Sequence, residues 1–93
     1  MIKILCEQVS PGLRQADAIL TFHDFHGRRH FLQIEKDFIV RRNAHSYLPV
    51  ALVHRDPQTG AFLIELPHEA ETGVNRLWLS PDKVLLDAAE VSA

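Results

Sequence analysis

The sequence holds a single cysteine, Cys6, so no internal disulfide can form and no cysteine pair exists to hold a structural zinc ion. Its four glycines stand singly, which leaves no glycine-rich loop to cradle a phosphate. No apolar run approaches the roughly 20 residues of a membrane-crossing helix. The opening Met1-Ile2-Lys3-Ile4-Leu5 run is too short for the core of a secretion signal. No window sustains a helical apolar period, which excludes a helix bundle. Neither sign of charge dominates: 10 basic and 12 acidic side chains give a formal charge of −2, which places the chain outside the strongly basic class. A lone thiol fits a reducing compartment, and the expected location is the cytoplasm.

What the sequence does contain is alternation. Apolar residues recur at every second position, and the segments are cut roughly every 8 to 12 residues by Gly, Pro, Asn or Asp, the pattern of an all-β chain. Ile2, Ile4 and Cys6 share one face of a first strand that stops at Ser10-Pro11-Gly12. A second strand carries Ala18, Leu20 and Phe22 inward. Asp24-Phe25-His26-Gly27 then turns the chain, with Gly27 at a position requiring positive φ. If Asp24 faces Arg28, then Phe22 faces His30, Leu20 faces Leu32 and Ala18 faces Ile34, which gives one apolar face. Residues 38–40 predict a short strand that ends at Arg41-Arg42-Asn43.

Residues 47–53 are almost continuously apolar, so the later part of this strand is expected to be buried on both faces, with Pro49 marking an edge or a bulge. Asp56-Pro57-Gln58-Thr59-Gly60 is the strongest turn signal and joins this strand to residues 62–66. Residues 67–75 form the longest polar connection. A strand resumes at Arg76-Leu77-Trp78-Leu79, and Ser80-Pro81-Asp82-Lys83 predicts a single 3₁₀ turn before the last strand at Val84-Leu85-Leu86. The expectation is one all-β domain over residues 1–87, a small SH3-like barrel of five to seven short strands, with a frayed tail at 88–93. Closure would remove its sheet edges.

From Leu48-Pro49-Val50 through Asp56-Pro57-Gln58-Thr59-Gly60, Ile64-Glu65-Leu66 and Asn75-Arg76-Leu77-Trp78-Leu79-Ser80-Pro81 to Val84-Leu85-Leu86, the chain resembles the latter half of a PRC-barrel domain. The resemblance covers residues 48–86 only. It implies an adaptor barrel that binds proteins or assists RNA-processing machinery, and it carries over no catalytic residues.

Four constellations bear on function. His23, Asp24, His26 and His30 form the densest group of potential metal ligands, but the hairpin register sets His23 and His30 on opposite faces, so solvated histidines are the plainer expectation. His68-Glu69-Ala70-Glu71-Thr72 begins like a zinc-protease helix but has Thr72 where the second histidine must stand. Arg28, Arg29, Arg41 and Arg42, with Phe25, Phe31 and Tyr47 as stacking partners, suggest a surface for RNA or single-stranded nucleic acid. Against that stand the acidic balance and the core spacing of the aromatics. The fourth is the loop 67–75 with Glu69, Glu71, Asn75 and Arg76 around Trp78, a polar rim about one large aromatic. With no catalytic pair and no cofactor motif in the sequence, the leading expectation is a non-enzymatic module that binds another protein or a second copy of itself at that patch.

Overall fold

The computed structural model describes residues 2–86, so the expected tail at 88–93 lies outside the described residues. The chain is all-β in those residues, and no helix exceeds a single 3₁₀ turn. In chain order the strands are β1 (Ile2–Cys6), β2 (Gln8–Pro11), β3 (Asp17–His23), β4 (Arg29–Glu35), β5 (Val40–Arg42), β6 (His45–Arg55), β7 (Phe62–Glu65), β8 (Arg76–Leu79) and β9 (Val84–Leu85). One 3₁₀ turn, Lys36–Phe38, follows β4, and another, Pro81–Lys83, directly precedes β9. Several of these strands are only two to four residues long, which is why they outnumber the five to seven that alternation suggests.

The strands form two antiparallel sheets. The larger runs β8-β7-β6-β1-β9, with β5 also paired to β6, and the smaller runs β2-β3-β4. The first apolar segment of the sequence serves both, because it bends at Glu7, whose amide donates to the Thr21 carbonyl at 2.9 Å. Ile2, Ile4 and Cys6 of β1, Leu20 and Phe22 of β3, and Leu48 and Val50 of β6 belong to one buried cluster, so the inner faces of the two sheets share a core.

The β3–β4 hairpin has the register that its turn dictates: Phe22 opposite His30, Leu20 opposite Leu32 and Ala18 opposite Ile34. Gly27 and Gly60 both adopt positive φ, at 81° and 76°, as their turns require. Pro49 lies between the parts of β6 that pair with β5 and with β7. Its missing N–H faces the gap between those two strands, so no ladder bond is lost.

Four expectations are corrected. The two sheets are not closed into a ring, because residues 7–44 pair largely within their own meander, and strand edges are left open. Phe38 belongs to a 3₁₀ turn and is half exposed, with pairing resuming only at Val40. Residues 51–55 are exposed, not buried on both faces: β1 ends opposite Val50 and covers nothing beyond it, so Leu52 and Val53 face solvent at a bulge. His30 is not a solvated histidine. Opposite Phe22 it takes the inner face of the hairpin, with 1% of its surface exposed and its ring stacked on Phe22 at 5.7 Å.

Candidate functional site: the outer face around Trp78

Hairpin β7–β8 alternates strictly. Ile64 and Leu77 point into the core, so their neighbours Leu63 and Trp78 point outward, directly opposite each other. His54 of β6 pairs with Leu63 on its other side, giving a cross-strand row His54, Leu63, Trp78. The His54 ring meets the half-buried Trp78 indole edge-on, 6.2 Å between centroids.

One row further along β7 and β8, Glu65 and Arg76 are bridged at 2.9 Å, with both side chains well exposed. Such a pair adds little stability.

The β3–β4 turn reaches this face. The Phe25 amide donates to the Trp78 carbonyl at 2.7 Å, which sets Phe25 and His26 beside the indole. Phe25 remains 40% exposed. A shallow groove of about 220 Å³ opens here, lined by Phe25, His26, Asp56, Thr59, Ala61 and Trp78. Its far wall is the 56–60 turn, held by Asp56, which accepts from the Gln58 amide at 3.1 Å and from the Thr59 hydroxyl at 2.8 Å. The Thr59 hydroxyl and these amides hold the Asp56 carboxyl below the usual aspartate range.

Of the residues that sequence reasoning gathered into a patch, Arg76 and Trp78 do share one face of β8. Loop 67–75 behaves differently from expectation. It is the longest polar connection, yet it pairs part of its backbone within the fold: the Ala70 amide donates to the Val74 carbonyl and the Glu71 amide to the Phe31 carbonyl, while Ala70 itself is buried. The Asn75 carbonyl closes the hairpin by accepting from the Leu66 amide at 2.7 Å. Glu69, Glu71 and Asn75 are exposed, but Glu71 lines a groove with Leu13, Ile19, Phe31 and Gln33 that does not include Trp78. Sequence reasoning missed His54 and Leu63, and grouped Phe25 with the arginines and not with Trp78. The signal was present in the 56–60 turn, whose register aligns 54 with 63, and in an apolar residue at a hairpin tip.

The loop is fastened by His30. Its Nε2 lies 2.8 Å from the Asp24 carboxylate and its Nδ1 2.7 Å from the Thr72 hydroxyl. Burial pushes the Asp24 carboxyl up, but bonds from His30 and from the Arg28 and His26 amides outweigh it and hold the group below its ordinary range. Hydroxyl, imidazole and carboxylate in series are the connectivity of a nucleophile relay. His30 is buried and Thr72 half-buried, and the series joins the β3–β4 turn to loop 67–75.

Comparison with known proteins finds no matching family model, no curated relative and no solved structure of matching fold.

The remaining sequence candidates are placed as follows. His23 bonds Glu7 at 2.7 Å on the face opposite His30, and no cluster of three metal-ligating side chains occurs among the described residues. Arg28 and Arg29 enter β4, whereas Arg41 and Arg42 follow the 3₁₀ turn that leaves it, so the two pairs sit at opposite ends of that strand. The Arg29 guanidinium stacks over Phe31 at 4.8 Å, and Tyr47 is half-buried between Leu5 and Val40. Cys6 is buried, and loss of solvent pushes its thiol up to about 12.

Proposed function

We propose that the chain is a non-enzymatic protein-interaction module, an open SH3-like domain with a PRC-barrel-like second half, whose partner-facing surface is the outer side of β6, β7 and β8. The observation that carries this reading is the row His54, Leu63, Trp78 with Phe25 at its end. The rings of His54, Trp78 and Phe25 and the side chain of Leu63 gather there, three on paired strands and Phe25 on the adjoining turn, the composition of an interface centre. Arg76 and Glu65 supply its rim, and Glu69, Glu71 and Asn75 extend the polar surround along the loop. The SH3-like reading is supported by β6, which pairs with β1 along one part and β7 along the next, and by the 3₁₀ turn directly before β9.

The partner is another protein or a second copy of the chain. A nucleic-acid partner through Arg28, Arg29, Arg41, Arg42 and Tyr47 has less support, since those arginines are split between the two ends of β4 and one is engaged by Phe31. The test is affinity capture from the source cell with and without nuclease, alongside sedimentation of the purified chain. Nuclease-resistant retention of one protein, or a concentration-dependent dimer, is the expected result. Retention lost on nuclease treatment would favour nucleic acid.

A further inference from the structure

The open side of the smaller sheet carries a second site, which goes beyond the face around Trp78. A groove of about 400 Å³ runs between β2 and β5, lined by Val9, Pro11, Lys36, Ile39, Arg41 and Ser46 among others, none of them acidic. Among the described residues its two rims are unpaired strand edges. On β2, the Gly12 amide bonds the Asp17 carbonyl in the same register as the β2–β3 ladder, so the alternation turns the Ser10 peptide groups toward β3 and those of Val9 away from it. Pro11 falls on the same outward alternation as Val9, where a missing N–H breaks no ladder bond. On β5, Asn43 and Ala44 form a two-residue turn with φ of 52° and 68°, which makes Arg42 and His45 a bonded pair. Arg41, one step on, therefore directs its N–H and C=O away from β6.

The charge of the groove indicates what would fill it. Lys36 and Arg41 are exposed cations with no carboxylate partner among the described residues, and Val9 and Ile39 line the groove with apolar surface. We infer that this groove is a strand-addition site for an extended acidic segment of a partner protein, which pairs with the free edge of β2 at Val9 and sets carboxylates against Lys36 and Arg41. Main-chain bonds supply part of the affinity, and alternate apolar side chains enter the groove. β2 spans four residues, about 13 Å at roughly 3.3 Å per residue, so the paired core of such a segment is about four residues long.

The probe is a displayed library of random dodecapeptides, selected on the whole chain. The enriched sequences are expected to be acidic, rich in β-branched residues and free of proline over the core. The synthetic form of the best one should lose at least tenfold in affinity on the double substitution Lys36→Glu with Arg41→Glu. Both side chains are exposed and have no ion-pair partner among the described residues, so a circular dichroism spectrum like wild type is expected of that variant. Binding should slow amide exchange at Val9 and Arg41, and Trp78→Ala should leave the affinity unchanged, which separates this site from the face around Trp78. Enrichment of basic or proline-rich sequences, no enrichment at all, affinity indifferent to the charge reversal, or tighter binding of a dodecauridine oligonucleotide at these residues would each overturn the inference.

Discussion

His30 and Thr72 lie 42 residues apart in the chain and are joined by a 2.7 Å hydrogen bond between the imidazole Nδ1 and the hydroxyl oxygen. The Asp24 carboxylate only accepts, so Nε2 carries the proton that faces it, and in the neutral ring Nδ1 accepts from Thr72. One buried ring thus satisfies the turn that positions Phe25 and the loop that leads into β8. Removing it strands two polar groups and opens a cavity beside Phe22. His30→Ala should cost about 2 to 4 kcal/mol, and Thr72→Val, which keeps the shape but loses the hydroxyl, about 1 kcal/mol. Urea unfolding of both variants and the double mutant checks this, and additive losses would show that the bond contributes nothing.

Acid should weaken the fold through Asp24, Asp17 and Glu7. Arg14 is the main cause that lowers Asp17, while for Glu7 burial raises the carboxyl and bonds from His23 outweigh it. A depressed folded value means that the unfolded chain binds protons first. Stability is then complete above the ordinary carboxylate range of about 4 and falls as pH drops through the lower folded values. Unfolding midpoints measured between about pH 2.5 and 6 should show this decline, and Asp24→Asn should make it shallower. A midpoint independent of pH in that window would contradict the assignment.

Gly60 holds φ of 76° at the end of the second turn, where a Cβ would meet only the Pro81 ring at 3.5 Å. The cost of Gly60→Ala is therefore conformational, on the order of 1 kcal/mol. Thermal melting reads it as a drop of about 4 to 8 °C for a domain of this size. An unchanged melting temperature would contradict the role of the left-handed backbone there.

Cys6 should resist alkylation in the folded chain, since burial both blocks access and disfavours the thiolate. Iodoacetamide labelling at mildly alkaline pH is expected to track unfolding in urea. A folded-state rate within about tenfold of a free thiol would contradict its burial.

Local chemistry made much of the fold legible. The Asp24 to Gly27 and Asp56 to Gly60 turns set registers that the strands follow, and Ser80-Pro81 marks the 3₁₀ turn. Contacts between distant residues were not legible. Nothing near Glu7 signals that its amide bonds Thr21 and redirects the strand, and nothing near Thr72 reveals a buried imidazole waiting for it. The proposed interaction face was half legible for the same reason. Arg76 and Trp78 share a strand face by alternation, whereas Phe25 arrives through a main-chain bond from a turn 53 residues earlier in the chain (78 − 25).

The most direct test of the proposed interaction face is Trp78→Ala, with thermal melting and affinity for the captured partner, or for a second copy, measured on the same preparation. Trp78 is half-buried, so the fold should lose only about 1 to 2 kcal/mol, well short of the roughly 3 to 5 kcal/mol of a core tryptophan, and the chain should stay folded at room temperature. Binding should weaken by about 2 kcal/mol or more, some thirtyfold. A folded Trp78→Ala variant with wild-type affinity, or a melting temperature that collapses as for a core residue, would contradict the account.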